Sequence, residues 1–365
     1  MASFDEVLKD CTKLGTKIQT SEYLKNGTYP IIDQGQDNIA GYFDTENGLF
    51  KDVPAIVFGD HTRIVKYIDK PCFLGADGVK LLCPVSKDTN CKYLFYQLAH
   101  ADIPNTGYNR HFKWVKALNF KIPSSDEQNH VVEVLDKATE LISLRKQQLA
   151  RLDELVKARF VEMFGDAKLN PYDFPCNSLS EYILFLTSGS RGWSQYFTDN
   201  GEYFITIKNV KNCRITLQDV QYVIPPDNAE AKRTKVQEND LLISITADLG
   251  RTGVVPKEIA KHGAYINQHL TCIRLNLEKV NPIYVAYYME SDAGKEQFAS
   301  KNQSAVKAGL NFNAINSLKL IVPPLSLQND FAAFVERVDQ QKQTVQQSLE
   351  KLELMKKALM QEYFG

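Results

Sequence analysis

Three stretches of the chain carry lysine and asparagine side chains, two of them also arginine, and contain no acidic residue. They are residues 105–121, 204–215 and 300–319. Arginine and lysine bind phosphate groups, and together with asparagine and glutamine they donate hydrogen bonds to the edges of nucleic acid bases. The stretches therefore predict loops that contact nucleic acid. The alternative for each of them is an ordinary solvated surface.

The overall composition limits what kind of binding protein this chain can be. Its 365 residues are enough for two or three domains. The 43 lysine and arginine residues are balanced by 44 aspartate and glutamate residues, which gives a net charge of −1. A non-specific DNA-binding protein would show a strongly basic balance. Any contact with nucleic acid must therefore be concentrated in particular loops.

The hydrophobic pattern and the cysteines predict a cytoplasmic protein without a membrane partner. No apolar run approaches the roughly 20 residues that cross a bilayer. The beginning of the chain, Met1–Glu6, is acidic and unlike a signal peptide. The seven cysteines are scattered and lack the C-x-x-C spacing that favours zinc. We therefore expect reduced thiols in the core and no metal site.

Motifs for catalysis are missing from the sequence. There is no phosphate-binding G-x-x-x-x-G-K-[ST] loop. The segment Asn170-Pro171-Tyr172 resembles a methyltransferase motif but lacks its second proline and a glycine-rich partner loop. Asp227 and Glu230 lie too close in sequence to come from adjacent strands of a nuclease site. We therefore predict that the chain holds no catalytic residue.

An internal repeat indicates how the candidate loops are positioned. Residues 117–165 align with residues 317–365 at an offset of 200 without a gap. The identities include Leu118/Leu318, Pro123/Pro323, Gln128/Gln328, Asn129/Asn329, Leu149/Leu349, Leu152/Leu352, Lys157/Lys357, Ala158/Ala358, Glu162/Glu362, Phe164/Phe364 and Gly165/Gly365. Two copies at so long a period indicate a duplicated domain.

Each copy of the repeat predicts one long helix. A proline ends an apolar strand, and about 40 residues without an internal glycine or proline follow, enough for roughly 60 Å of helix. Steps of four and three residues trace an apolar seam, typical of a coiled coil. Its polar exceptions are Arg145, Arg159, Lys342 and Lys356. The two helices can pair antiparallel within one chain, and pairing between chains is the alternative.

Segments of the two globular regions occur in the same order, and together they resemble a known family. In the first region they are Tyr29–Ile32, Phe58–Arg63, Leu74–Val79 and Gly107–Lys113. In the second they are Asp240–Ser244, the Gly250–Gly253 turn, Tyr265–His269 and Gly309–Phe312. With the Pro-x-x-x-x-Gln beginnings of both helices, they resemble type I restriction-modification specificity subunits over essentially the full chain.

The sequence and the resemblance together predict an α+β fold class. Two globular target-recognition domains are joined by two long antiparallel coiled-coil helices, with a pseudo-two-fold internal repeat. The predicted domains are 1–123 and 166–323 for target recognition, with spacer helices at 124–165 and 324–365.

The resemblance implies a non-catalytic subunit that binds a bipartite, asymmetric site on double-stranded DNA. It implies two modification subunits that bind S-adenosylmethionine and methylate adenine, and two restriction subunits that use ATP and Mg. Two unlike domains held by rigid helices would read half-sites on the order of 34 Å apart or less. The competing interpretations are a coiled-coil scaffold whose end domains bind proteins, and an enzyme with an unrecognised site.

Side chains suited to phosphates and base edges give the candidate DNA-binding residues. For His111 and His269 a structural, hydrogen-bonded histidine is the alternative. In the first domain the candidates are Arg63, Lys80, Tyr108, Asn109, Arg110, His111 and Lys113. In the second they are Arg191, Trp193, Lys208, Asn209, Lys211, Arg251, Gln268, His269, Lys301 and Lys307.

Overall fold

The computed structural model describes residues 1–75, 77–301 and 309–365, which form two compact units. Unit 1 comprises Met1–Gln148 and Val345–Gly365, and unit 2 comprises Leu149–Thr344. Each unit combines sheets with parts of both long helices, which confirms the predicted fold class. The four-segment division of the chain at 123, 165 and 323 stays a prediction.

Two helices of 40 residues stand out among the helical elements of the described chain. The α-helices are Phe4–Val7, Cys91–His100, Phe112–Lys116, Ser125–Phe164, Ala229–Thr234, Lys257–His262, Pro282–Glu290, Asp292–Ser300, Phe312–Asn316 and Leu325–Phe364. Short 3-10 helices are Thr12–Leu14, Thr20–Glu22, Leu179–Tyr182, Trp193–Tyr196 and Ile207–Asn209.

Unit 1 contains a large antiparallel sheet and a small mixed sheet. The large sheet has the strand order Leu8–Asp10, Val79–Pro84, Ala55–Gly59 and Val65–Ile68. The small sheet has the order Gly41–Phe43, Tyr29–Ile32 and Phe73–Leu74, and its last pair is parallel. Ala2–Ser3 pairs separately with Asn119–Phe120.

Unit 2 repeats this arrangement. Its large sheet has the order Ile183–Ser188, Leu270–Leu275, Leu241–Ser244 and Thr252–Val254. Its small sheet has the order Phe197–Thr198, Gln221–Val223, Glu202–Ile205 and Ala264–Ile266, again with a parallel last pair. Cys176–Ser178 pairs with Lys319–Ile321, and Val210–Lys211 with Arg214–Ile215. The duplication therefore extends through the globular regions, beyond the part that the sequences align.

Alternate residues of each central strand face two different cores, as the two-residue period of a strand requires. In unit 1, Ile56 and Phe58 pack into a core with the helix Cys91–His100, whereas Ala55 and Val57 face the second core. In unit 2, Ile243 and Leu242 divide in the same way. Burial on both faces explains why these strands are continuous apolar runs.

Within each unit the two long helices run antiparallel. In unit 1, Leu135 shares a core with Met360, and Lys146 lies 2.9 Å from Glu353. In unit 2, Val156 shares a core with Val338. The polar seam residues have partners: Lys342 pairs with Asp153, Arg159 with Glu162, Arg145 with Gln148, and Lys356 lies over the Tyr96 ring.

The burial of the cysteines can be tested by chemical labelling. All seven are free, and only Cys176 is exposed. Burial raises the pKa of Cys72 and Cys91 to about 12, so little reactive thiolate forms near neutral pH. We expect a thiol reagent to modify Cys176 rapidly in the native protein and the other cysteines only after unfolding in urea. Counting labels per chain checks this, with Cys176→Ser as the control, and rapid native labelling of Cys176→Ser would contradict it.

Candidate functional site

Three loops of unit 1 meet around Gln34. The Gln34 side chain accepts a hydrogen bond from the His61 amide (3.1 Å) and donates one to the Asp77 carbonyl (3.2 Å). The Gln34 carbonyl accepts a hydrogen bond from Thr62 Oγ1 at 2.7 Å. A side chain at Gly78 would overlap the Gln34 amide, and Gly78 has a φ of +79°. Gln34 therefore fixes the position of the turn that carries His61.

A second set of bonds joins this turn to the polar loop 102–111. Asp60 is almost completely buried, and its carboxylate accepts a hydrogen bond from the Phe112 amide at 2.7 Å. The Asp60 carbonyl accepts a hydrogen bond from the His111 amide at 2.8 Å and lies 2.9 Å from His111 Nδ1. The base of the loop is thereby anchored, while its tip is left in solvent.

The tip of the loop presents exposed candidate residues. Tyr108 is 88% exposed, and Asn109, Arg110 and Lys113 are exposed as well. Arg63 and Lys80 are more constrained. The Arg63 guanidinium donates to the Ile103 carbonyl at 3.0 Å, and Lys80 lies 3.2 Å from Asp10. The structure thus places Tyr108, Asn109 and Arg110 together at the tip, whereas Lys113 lies in the helix Phe112–Lys116 that follows the loop.

In unit 2 several candidate residues lie on loops that are paired with one another by isolated β-bridges. Ser190, next to the exposed Arg191, pairs with Asn267, and Thr246 pairs with Gly309. His269 connects these loops, because its Nδ1 lies 2.6 Å from Thr246 Oγ1. Next to this contact Gln268 bonds the other ring nitrogen of His269, and Arg251 forms an ion pair with Asp248. The contact between Thr246 and His269 therefore joins two of the loops that carry candidate residues.

Three candidates are corrected by their burial. His111 is fully buried and bonded to the Asp60 carbonyl. Trp193 is buried and packs against the rings of Phe204 and Tyr265. Asn209 is buried and bonds its own loop, with its side chain donating to the Thr216 carbonyl at 3.1 Å. All three stabilise the domain and cannot reach a ligand in this conformation.

The remaining candidates of unit 2 lie elsewhere or are not described. Lys208 and Lys211 are exposed but belong to the segment around the hairpin Val210–Ile215, which packs against the strand Thr252–Val254. Lys301 is half-buried at the end of the helix Asp292–Ser300. Lys307 lies outside the described residues.

Some residues of these surfaces escape sequence reasoning. Gln34, His61 and Thr246 connect loops that are far apart in the chain, so their importance appears only in three dimensions. The available signal is the glycine at 35 and the Gly59-Asp60 pair, which mark turns. These glycines indicate where loops bend, but not which side chains join them.

A cluster of hydrogen bonds around one glutamine side chain occurs in both units. In unit 1, Gln128 accepts a hydrogen bond from the Asn90 amide (2.9 Å) and donates one to the Pro123 carbonyl (2.9 Å). In unit 2, Gln328 does the same with Asn281 (2.9 Å) and Pro323 (2.7 Å). Both glutamines are buried. They join the start of each long helix to the helix that covers the large sheet, which accounts for their identity in the repeat.

The exposed candidate side chains at these surfaces are cations and hydrogen-bond donors or acceptors. Within residues 1–75, 77–301 and 309–365, no group of three His, Cys, Asp or Glu side chains is placed to hold a metal ion. In the same part of the chain, no helix has the length and apolar character needed to cross a membrane.

These features define a class of protein in which one duplicated scaffold presents two unlike sets of polar loops. The chain belongs to the family of the type I restriction modification DNA specificity domain, whose model matches residues 5–154 and, a second time, residues 189–354. This membership confirms the resemblance found in the sequence.

Similar proteins agree with this assignment. The putative type I restriction enzyme MjaX specificity subunit of Methanocaldococcus jannaschii is 22% identical over 330 residues, 82% of this chain and 73% of that protein. The type I restriction enzyme EcoR124I/EcoR124II specificity subunit of Escherichia coli is 22% identical over 353 residues, 88% of this chain and 82% of that protein. The crystal structure of a type I restriction-modification S subunit from M. genitalium has a TM-score of 0.60 at 16% identity, covering 100% of this chain and 95% of that chain. The similarity to the M. genitalium structure shows that the two chains share a fold.

Proposed function

We propose that the chain is the non-catalytic, sequence-reading subunit of a type I restriction-modification enzyme and that it binds a bipartite site on double-stranded DNA. The observation that carries the proposal is the duplicated scaffold with unlike loops. Unit 1 presents Tyr108, Asn109 and Arg110, whereas unit 2 presents Arg191, Gln268 and His269. Two similar supports with different polar tips suit two different half-sites.

The proposed partners supply the catalysis. Two modification subunits would bind S-adenosylmethionine and methylate one adenine in each half-site, and two restriction subunits would use ATP and Mg. Four exposed leucine side chains on the long helices support a docking role for these helices: Leu141, Leu144, Leu155 and Leu354. A cytoplasmic location is part of the same proposal. The net charge of −1 is compatible with DNA binding, because the partner subunits would supply further contacts to the phosphates.

Selection from a random DNA pool tests the proposal. The full chain, in complex with the modification subunit of its own system, is expected to enrich a bipartite motif with a fixed, unread gap. The chain alone serves as the comparison. Failure of the complex to enrich any motif would contradict DNA recognition. Stable capture of proteins other than modification or restriction subunits under those conditions would favour the scaffold interpretation.

A reciprocal pair of substitutions assigns each half-site to a unit. Arg110→Ala is expected to weaken binding about tenfold and to relax one position of one half-site, since an arginine contact with a base is worth about 1–3 kcal/mol. Arg191→Ala is expected to do the same at the other half-site. Competition binding against single-base variants of the selected motif measures both effects.

Lys87→Ala is the matched control for these variants. It removes the same charge from an exposed position in the loop after the strand Val79–Pro84. That loop is separated from Gly78 by the length of the strand, about 20 Å. A uniform loss in all three variants, or no loss in Arg110→Ala and Arg191→Ala, would show that the reading surfaces are placed wrongly.

A further inference from the structure

Tyr108 is unusual among the exposed side chains of unit 1 because its ring stacks on a second ring. The ring stacks on His61, with centroids 4.7 Å apart and planes within 8° of parallel. With 88% of Tyr108 exposed, the face that His61 does not cover is open to solvent. A large aromatic side chain at a loop tip normally loses conformational freedom when it binds, and here part of that cost is already met.

The support beneath Tyr108 consists of several bonds. His61 Nδ1 lies 3.2 Å from the Asn109 carbonyl, which ties the imidazole to the loop it supports. The His61 backbone is fixed in turn by Gln34. At the other end of the loop, Asn105 accepts a hydrogen bond from the Gly107 amide at 3.1 Å. The stack is therefore a preformed platform, which we define as the rings of Tyr108 and His61.

The chemistry of duplex DNA limits what such a platform can contact. The faces of the bases are covered by their neighbours in the stack, so a ring that approaches an undistorted duplex meets groups that project into a groove. In the major groove the apolar group is the C5 methyl of thymine, which apolar side chains recognise. Arg110, two residues along the same tip, is exposed and offers the donors that suit major-groove acceptors.

We propose that the platform reads the C5 methyl group of a thymine in the half-site bound by unit 1. Tyr108 makes the contact, and His61 is a positioning residue that holds the Tyr108 ring. This inference rests on the proposed function, because it requires that unit 1 reads a half-site on DNA.

The test removes the methyl group alone. After the motif has been selected, each thymine of both half-sites is replaced in turn by deoxyuridine, and the affinity of the full chain with its modification subunit is measured. Burial of one methyl group is worth about 0.8 kcal/mol, so one substitution in the half-site of unit 1 is expected to weaken binding about fourfold. Tyr108→Ala should bind the thymine and deoxyuridine sites equally, whereas Tyr108→Phe should retain the difference.

His61 variants separate positioning from a general structural role. His61→Ala is expected to reduce the discrimination between thymine and deoxyuridine, and His61→Phe, which keeps a stacking ring, is expected to restore it. Deoxyuridine in the half-site of unit 2 provides the control, since any effect there should be unchanged in Tyr108→Ala.

Two results would overturn the proposal. One is the absence of a deoxyuridine effect at every thymine in the half-site of unit 1, and the other is a deoxyuridine effect of the same size in the unaltered chain and in Tyr108→Ala. Both differ from failure of the proposed function, in which the selection yields no motif at all.

Discussion

Gln328→Ala is expected to lower the free energy of unfolding of unit 2 by about 2–3 kcal/mol, and Gln128→Ala is expected to cost unit 1 a similar amount. Each glutamine is buried and joins a backbone amide to a proline carbonyl. Removing the amide leaves both backbone groups without this partner and opens a cavity. The two losses of stability are expected to be similar, because the corresponding hydrogen bonds have nearly the same lengths in both copies.

Hydrogen exchange of the large-sheet strands measures the two losses separately, because amides of unit 1 and unit 2 report their own opening free energies. Asn329→Ala is the control in unit 2. Its side chain is exposed and makes one bond, to Asn281 at 2.9 Å, so a loss below about 1 kcal/mol is expected. If Gln128→Ala and Gln328→Ala changed exchange only near the substituted residue, or by less than the control, the hydrogen-bond clusters around the two glutamines would not stabilise the units as we infer.

The long helices and the duplication could be predicted because their signals are local. A proline stop followed by an apolar seam over about 40 residues determines a helix, whatever surrounds it. The duplication in the globular regions is harder to detect. The structure shows it through pairs such as Ser3 and Ser178, each of which begins a helical turn closed by a glutamate three residues later. Loops of different length change the spacing between such pairs, and loops tolerate insertions.

The reading surfaces could be predicted only in part. Arg110 and Arg191 can be proposed as DNA contacts from their residue type and their positions in polar loops. Both stay predictions. The same reasoning selected His111 and Asn209, which the fold turns inward. An imidazole or a carboxamide can bond the backbone of its own loop as readily as a base edge, so the residue type alone cannot separate the two uses.

A further large effect is expected at Asp240, which directly precedes the central strand Leu241–Ser244 of unit 2. Its carboxylate is completely buried and accepts two hydrogen bonds from the Arg274 guanidinium, both 2.8 Å long. It also accepts one from the Gln237 amide at 2.7 Å. The hydrogen bonds to Asp240 raise the pKa of Arg274, which keeps the guanidinium charged.

Asp240→Ala is therefore expected to destabilise unit 2 by about 2–3 kcal/mol, because the Gln237 amide and the partly exposed Arg274 guanidinium both lose a buried acceptor. Urea unfolding followed by hydrogen exchange measures the loss, and unit 1 should retain its exchange protection. Asp248→Ala removes an exposed carboxylate that pairs with Arg251. It should cost less than about 1 kcal/mol.

The double variant Asp240→Leu/Arg274→Met decides between two explanations of the loss. If the unpaired arginine causes it, replacing both charged groups by apolar ones should recover much of the stability. If the essential bond is the one from Gln237 that closes the turn before the strand, the double variant should be as unstable as Asp240→Ala. The first outcome is expected, because the guanidinium makes two of these bonds and depends on Asp240 for its compensating charge.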